Sequence, residues 1–197
     1  PRHARRLANW FDVSVMERRN AVHVTQEEWI GYLRTSFTQD KPLDRLAFEM
    51  LTADGTDERI RGAAKFLLDR EVDPNLLTRD VGRVYFGVDL QCAQCHDHPQ
   101  IDDYFQADYY GLYAALLRSS LFKDPEGKAF VAEKADGEFE FTSVFTGDKG
   151  NAEPRTPDGW PIEDEPFPTE APYRVAPAEN VRPIPFTSRR ETFARSL

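Results

Sequence analysis

The chain has 197 residues, of which 40% are hydrophobic and 30% are charged, a composition typical of one globular domain with or without an appendage. Its formal net charge of −9 argues against nucleic acid as a partner, because phosphates attract clustered Lys and Arg, and it is compatible with a basic protein partner. No apolar run approaches the roughly 20 residues of a membrane-spanning helix, so we expect no membrane span in this chain.

The first half of the chain has the spacing of consecutive amphipathic helices. A capping box at Thr25 and Glu28 indicates the start of the second helix, and Pro42 suits the first turn of the third. The predicted apolar faces are Leu7, Trp10, Phe11, Ser14 and Val15 in the first helix, Trp29, Ile30, Leu33 and Phe37 in the second, Leu43, Leu46, Ala47, Met50 and Leu51 in the third, and Ile60, Ala63, Ala64, Leu67 and Leu68 in the fourth.

A fifth helix is predicted from about Thr78 towards Leu90, and it leads directly into the stretch Cys92-Ala93-Gln94-Cys95-His96-Asp97-His98-Pro99. This stretch holds both cysteines of the chain, spaced C-x-x-C and followed at once by histidine. Such an order is typical of c-type haem attachment, in which two thiols add to the two vinyl groups of one porphyrin and the adjoining imidazole becomes an axial iron ligand. We therefore predict one covalent haem c, held by Cys92, Cys95 and His96.

Two other interpretations of the same residues stay open. Cys92 and Cys95 with one or both of His96 and His98 could bind zinc, although no second C-x-x-C completes the ligand set. The pair could also be a thioredoxin-like dithiol, although that motif follows a strand and the pattern here is helical. Both are weaker than the haem interpretation.

The sixth iron ligand is open in the sequence. Met50 and His23 are the candidates, and His98 is a candidate for a supporting hydrogen bond on the proximal side. A methionine or histidine on the far side favours electron transfer, whereas a five-coordinate iron favours an enzyme or a sensor, peroxidase-like or binding a small ligand. The role predicted here is electron transfer rather than catalysis by this chain alone.

After the motif, Asp108 is predicted to cap a sixth helix that carries Tyr110, Tyr113, Ala114, Leu117 and Leu121. Aromatic residues crowd this segment and could line the haem edge or form ordinary core: Tyr104, Phe105, Tyr109, Tyr110 and Tyr113. Carboxylates could hold Ca²⁺ or form a solvated loop: Asp97, Asp102, Asp103 and Asp108.

The remaining chain predicts a small β hairpin and then an extended segment. Phe130–Val131 and Glu138–Val144 read as strands, with Asp136-Gly137 as their turn. Nine of the fourteen prolines lie between Pro154 and Pro185, which excludes regular helix there. The predicted units are a helical haem-binding domain at 1–125, the hairpin appendage at 126–150, a proline-rich extension or linker at 151–187, and the start of a truncated helix at 188–197.

The stretch Val84-Tyr85-Phe86-Gly87-Val88-Asp89-Leu90-Gln91 before the motif, with Asp108-Tyr109-Tyr110-Gly111-Leu112 after it, resembles the planctomycete cytochrome-c-like domains of unknown function. Two upstream stretches, Lys41-Pro42-Leu43-Asp44-Arg45-Leu46 and Leu51-Thr52-Ala53-Asp54-Gly55, support the resemblance, which covers about residues 4 to 122. The chain departs from the family pattern at Gln100-Ile101-Asp102-Asp103-Tyr104, where the family has Phe-Asp and an aromatic residue.

This resemblance implies a mainly α, cytochrome-c-like domain within a larger exported protein, followed by a second domain. Haem attachment of this type takes place outside the cytoplasm in bacteria, so we expect a periplasmic or otherwise extracytoplasmic location. The chain opens at Pro1 with no signal peptide, and we therefore expect it to be a piece of a longer precursor. The expected partners are a redox protein of basic charge and the rest of the parent polypeptide.

Overall fold

The computed structural model describes residues 2–97, 100–101, 105–144, 147, 149–168 and 170–197. Within these residues the protein is mainly α-helical, with seven α-helices and three antiparallel two-stranded sheets, which confirms the predicted class. The helices are α1 (Arg2–Met16), α2 (Gln26–Thr38), α3 (Leu43–Thr52), α4 (Lys65–Leu68), α5 (Pro74–Val81), α6 (Gln106–Leu116) and α7 (Arg189–Arg195). The strands are β1 (Ser119–Lys123), β2 (Ala129–Glu133), β3 (Glu140–Thr142), β4 (Lys149–Asn151), β5 (Tyr173–Val175) and β6 (Ile184–Pro185).

Helices α1 and α2 pack against each other. Ala4 and Ala8 are buried, whereas Leu7 and Trp10 are 41% and 61% exposed. The prediction that Leu7 and Trp10 belong to the core is therefore wrong, because the buried face of α1 is the one that carries Ala4, Ala8 and Val15, spaced by one and two helical turns. The Thr25 capping box is confirmed, since the Glu28 N–H donates to the Thr25 hydroxyl at 3.2 Å and the Thr25 N–H donates to the Glu28 carboxylate at 2.7 Å.

The fourth predicted helix forms in two parts, a 3₁₀ turn at Arg61–Ala64 that continues into α4. Gly62 lies where a Cβ atom would come within 2.4 Å of the Glu28 carbonyl oxygen, so only glycine permits this close contact with α2. The predicted inward residues Ala63, Ala64, Leu67 and Leu68 are all fully buried. The face of this segment is thus confirmed, although its first turn is tighter than an α-helix.

Helix α5 starts earlier and ends sooner than predicted. The Asp73 carboxylate caps it by accepting a hydrogen bond from the Leu76 N–H at 2.8 Å, with Pro74 in the first turn. A π-helical turn follows at Gly82–Phe86 and ends at Gly87, whose φ of 68° is left-handed. The expected continuous helix to Leu90 is therefore wrong, because left-handed Gly87 stops it and lets the chain turn into the motif.

Four charged residues form what we call the buried ion-pair layer: Lys65, Asp69, Arg70 and Asp80. The ammonium of Lys65 pairs with Asp69, and both side chains are completely buried. Arg70 donates to Asp80 at 2.5 Å, to the Phe66 carbonyl at 2.8 Å and to the Val15 carbonyl at 2.9 Å. This layer joins the end of α1 to α4 and α5.

The strands pair differently from the prediction. β2, which contains Phe130 and Val131, pairs with β1 across the turn at 124–128, and β3 pairs with β4. The predicted hairpin about Asp136-Gly137 is therefore wrong, as is the extension of the sixth helix to Leu121. Asp124 explains the true turn, because its carboxylate accepts the N–H groups of Glu126 and Lys128 at 3.0 and 2.8 Å.

The proline-rich segment runs over the helices in extended form, with Thr156 and Ile162 buried and β5 paired with β6. Helix α7 then returns to α3 and α6. Its Phe193 is completely buried, and Arg190 donates to the Leu51 carbonyl at 2.6 Å. The chain from 188 to 197 is thus part of the packed structure, while the domain boundaries at 125, 150 and 187 stay predictions. No helix in the described ranges has the length and apolar character needed to span a membrane.

Candidate haem-binding site

The motif begins on a short 3₁₀ turn, Cys92–Gln94, in a loop that we call the motif turn (residues 91–97). A 3₁₀ helix has three residues per turn, so side chains three positions apart lie on the same side. Cys95 follows Cys92 by three, and its N–H donates to the Cys92 carbonyl at 3.3 Å. The spacing C-x-x-C therefore places both thiols on one side of the turn.

Buried apolar residues anchor this turn and leave the cysteines outside. Leu90 and Ala93 are 1% and 0% exposed, whereas Cys92 and Cys95 are exposed and form no disulfide. The Gln91 N–H donates to the Asp89 carboxylate at 3.0 Å, which fixes the start of the turn. Both thiols are thus accessible to an incoming reactive group.

His96 is half-buried, and its Nδ1 lies 2.6 Å from the carbonyl oxygen of Asp97. A backbone carbonyl at Nδ1 orients an imidazole and favours the tautomer in which Nε2 coordinates a metal. The Asp97 carboxylate in turn accepts the Gln106 N–H at 2.8 Å and links the turn to the start of α6. His98 lies outside the described residues, as do Asp102, Asp103 and Tyr104.

Two side chains of α6 hold the backbone of the motif turn from below. Buried Gln106 donates to the carbonyls of Gln94 and Cys95 at 3.4 and 3.2 Å, and the Tyr110 hydroxyl donates to the Gln94 carbonyl at 3.0 Å. Burial raises the pKa of the Tyr110 hydroxyl, and the nearby Cys95 adds to this rise. Tyr110 therefore lies against the motif turn at Gln94, the residue before Cys95.

Asn75 connects the same turn to α5. Its side-chain oxygen accepts the Gln94 amide at 3.1 Å and the Tyr109 hydroxyl at 2.9 Å. The sequence analysis singled out none of Asn75, Gln94 and Gln106. The only local signal was the four-residue step from Gln106 to Tyr110, which places both on one face of a helix.

The aromatic residues after the motif form a cluster with the second hairpin. Tyr110 stacks on Phe139 and Phe141 with ring centroids 5.2 and 4.8 Å apart, and Tyr113 packs against Phe139 at 4.8 Å. Phe105 is about half exposed. The cluster lies against the backbone of the motif turn through Tyr110.

Asp108 contributes differently from the prediction. Phe105 is the residue before the helix, and its N–H donates to the Asp108 carboxylate at 3.0 Å, so Asp108 lies within the first turn rather than at the cap. The other oxygen of Asp108 accepts a bond from Arg155 at 2.9 Å. Among the described residues, no three or more His, Cys, Asp or Glu side chains are grouped to hold a metal ion.

The candidate sixth ligands lie in other contacts. Met50 is 2% exposed and lines a cavity between α1, α3 and the π-helical turn that no residue of the motif turn reaches. The Nε2 atom of His23 lies 2.8 Å from the Glu71 carboxylate, and the backbone N–H of His23 donates to Asp69 at 2.8 Å. Neither is brought against Cys92, Cys95 or His96 by a contact of the described chain.

A comparison with family models gives a match over residues 1–120 to PSCyt2, protein of unknown function (DUF1549). The chain belongs to this family. The match covers more than half of the chain and includes the motif turn and all of α6. The searches of curated proteins and of solved structures gave no match.

The side chains of this PSCyt2 chain include the donor types that covalent haem attachment needs, two thiols and one imidazole. Two free exposed thiols lie on one side of a turn, and the next residue presents an imidazole oriented by a backbone carbonyl. Cys92 and Cys95 are exposed, so these two donors lie at the surface of the described chain.

Proposed function

We propose that this chain is a c-type cytochrome module that carries one covalent haem and transfers electrons within a larger exported protein. Cys92 and Cys95 would form the thioethers, and His96 would be the axial iron ligand. Each thiol would add across one vinyl group, with a C–S bond formed at one carbon and the thiol proton delivered to the other, so the addition would be redox-neutral. Bound haem supplies a one-electron iron couple.

The observation that carries this proposal is the accessibility of both thiols on one rigidly held turn beside an oriented imidazole. A structural zinc site needs four converging ligands, and the described residues offer no such group. A redox dithiol follows a strand, whereas this motif follows α5 and its π-helical turn. Covalent haem attachment requires only the two thiols and the imidazole that the motif turn presents.

We also propose that the fold is cytochrome-c-like. Helices α5 and α6 flank the motif turn and hold it through Asn75, Gln106 and Tyr110. Because thioether attachment takes place outside the cytoplasm in bacteria, the proposed location is periplasmic or otherwise extracytoplasmic. The net charge of −9 favours a basic redox protein as the electron donor or acceptor.

A second candidate function is an enzyme or sensor with five-coordinate iron, peroxidase-like or binding a small ligand. It is favoured by the positions of Met50 and His23, which are held in the apolar interior and against Glu71. If neither reaches the iron, the face opposite His96 stays open to a small molecule.

The test is to export the full chain in a bacterium that has the haem-attachment machinery. We expect an intact mass greater than the polypeptide by one haem, and a reduced α-band typical of thioether-linked haem. Cys92→Ala with Cys95→Ala should remove the added mass while leaving the helical content unchanged, because both side chains are exposed. A bare polypeptide mass for the unaltered chain would overturn the proposal.

Carbon monoxide binding to the reduced protein separates the two functions. Absence of binding supports a six-coordinate electron carrier, and rapid binding with a large spectral change supports the open site. Met50→Leu and Met16→Leu form a matched pair, since both methionines are buried. Carbon monoxide binding gained only in Met50→Leu would identify Met50 as the sixth ligand.

A further inference from the structure

A polar cleft lies between α2, α3 and the loop 57–62, and none of its lining residues belongs to the motif turn. Its volume is about 520 Å³, within the range of ligand pockets. Helix α2 contributes the face at Glu28, Gly31, Tyr32, Thr35, Ser36 and Gln39, and α3 contributes Arg45 and Glu49. Ile60 is the one aliphatic side chain among the lining residues of this described region, and the other lining residues are charged, polar, tyrosine or glycine.

The floor of the cleft is a buried carboxylate surrounded by donors. Glu49 is 6% exposed and accepts hydrogen bonds from the Tyr32 hydroxyl at 2.8 Å, from Lys41 at 2.5 Å and from Arg45 at 3.0 Å. Burial alone would raise the pKa of Glu49, but the bonds from Lys41 and Tyr32 outweigh it and hold this pKa below its usual value. Glu49 therefore stays charged, and the floor is rigid.

Every charged side chain that lines the cleft is already paired. The pairs are Lys41 and Arg45 with Glu49, Arg59 with Asp57, Glu58 with Lys128, and Glu28 with Arg61. The charges of the lining thus compensate one another and offer no unpaired charge to a charged ligand, whereas a hydroxyl group can both donate to and accept from these side chains. The lining therefore selects a neutral molecule rich in hydroxyl groups.

Two glycines line the cleft, and packing requires only one of them to be glycine. A Cβ atom on Gly62 would clash with α2, so that glycine has a packing reason. A Cβ atom on Gly31 would meet nothing within 4 Å, although glycine inside a helix costs about 1 kcal/mol relative to alanine. Gly31 keeps the cleft wall open to the backbone, as a site for a closely approaching ligand would need.

We propose that this cleft binds a neutral polyhydroxylated molecule, of the size of a monosaccharide unit, against the wall at Gly31 and the floor at Glu49 and Tyr32. The inference is independent of haem attachment, because no residue of the cleft belongs to the motif turn. Binding would therefore occur in the polypeptide with or without haem.

The experiment uses saturation-transfer NMR on the full chain with glucose, galactose, mannose, fucose and xylose, each added separately, and with glucuronate and glucosamine as charged probes. We expect saturation of at least one neutral sugar and at least tenfold weaker binding of its charged counterparts. No transfer to any neutral sugar, or equal binding of the charged probes, would overturn the proposal.

Gly31→Trp and Thr35→Trp fill the cleft from two exposed positions of α2, and Arg34→Trp adds the same ring to an exposed position outside it. We expect at least tenfold weaker sugar binding in the two cleft variants, unchanged binding in Arg34→Trp, and unchanged circular dichroism in all three. Binding that survives in both cleft variants with the fold intact would exclude this cleft as the site.

Discussion

The buried ion-pair layer and the motif turn both hold polar groups in fixed positions, but they satisfy them differently. In the layer, Arg70 is completely buried and each of its three guanidinium nitrogens donates to an acceptor: Nε to Asp80, Nη1 to Phe66 and Met16, and Nη2 to Val15. In the motif turn, the partners on α5 and α6 bind backbone carbonyls and Gln94, and the thiols of Cys92 and Cys95 face outward. The layer is therefore closed to further chemistry, whereas the turn combines a fixed backbone with reactive side chains that are free to take up a group.

Removing Arg70 is expected to have the largest effect. Arg70→Met leaves Asp80 without its shortest partner and leaves two buried carbonyls without a donor, so the free energy of unfolding should fall by about 3–5 kcal/mol. The measurement is chemical denaturation followed by circular dichroism. Arg59→Met is the control, because the Arg59 side chain is 87% exposed and its loss should cost less than about 1 kcal/mol. Equal losses of unfolding free energy in the two variants would show that the buried layer contributes no more to stability than an exposed ion pair.

Acidification tests Asp80 of this layer, together with the buried Glu49 outside it, with the chain unaltered. Burial alone would raise the pKa of Asp80, but Arg70 holds it below the ordinary value of 3.8, and the pKa of Glu49 is likewise lowered from 4.5. Both carboxylates bind protons more readily in the unfolded chain, so their stabilisation is complete above those ordinary values and is lost as the pH falls through the lowered folded pKa values. We expect constant stability between about pH 7 and 5 and a steep decline below about pH 4. Asp80→Asn should make the decline shallower, and stability that rises on acidification would contradict this account.

Loosening the motif turn should have the smallest effect. Gln106→Ala removes two hydrogen bonds to the Gln94 and Cys95 carbonyls, for a local loss of about 1–2 kcal/mol. Amide exchange at Cys95 should accelerate about tenfold, while the global unfolding free energy changes by less than in Arg70→Met. Gln39→Ala, at an exposed glutamine, should leave exchange at Cys95 unchanged. A loss of global unfolding free energy as large as that of Arg70→Met would show that the motif turn unfolds together with the buried interior, and would contradict this expectation.

The local signals of the sequence were sufficient for most helices. Thr25 with Glu28 marks the start of α2, and Ser188 accepts the Glu191 N–H at the start of α7, because a cap depends on residues three positions apart. Periodicity correctly identified the buried face at Ala63, Leu67 and Leu68, since the step of three to four residues follows from helix geometry.

Such local signals did not predict which segments that are distant in the sequence pair with each other. Phe130 and Val131 were correctly predicted as strand, but their predicted partner at 138–144 was wrong, and the hydrogen bonds of Asp124 favour the turn to β1. Ala4 and Ala8 are buried while the larger Leu7 and Trp10 of the same helix are exposed, an orientation that hydrophobicity alone does not reveal. The contacts of Asn75 and Gln106 with the motif turn join residues 9 to 19 positions apart.

The sequence by itself determined the helical class and the candidate chemistry of Cys92, Cys95 and His96, because capping, periodicity and C-x-x-C-H spacing are properties of a few neighbouring residues. The tertiary structure decided what supports them. It buries Leu90 and Ala93 beneath the turn, places Gln106 and Tyr110 on its carbonyls, and returns α7 to α3. These contacts depend on which surfaces meet when the helices pack, and packing is selected by the shape and charge of the whole chain rather than by any local pattern.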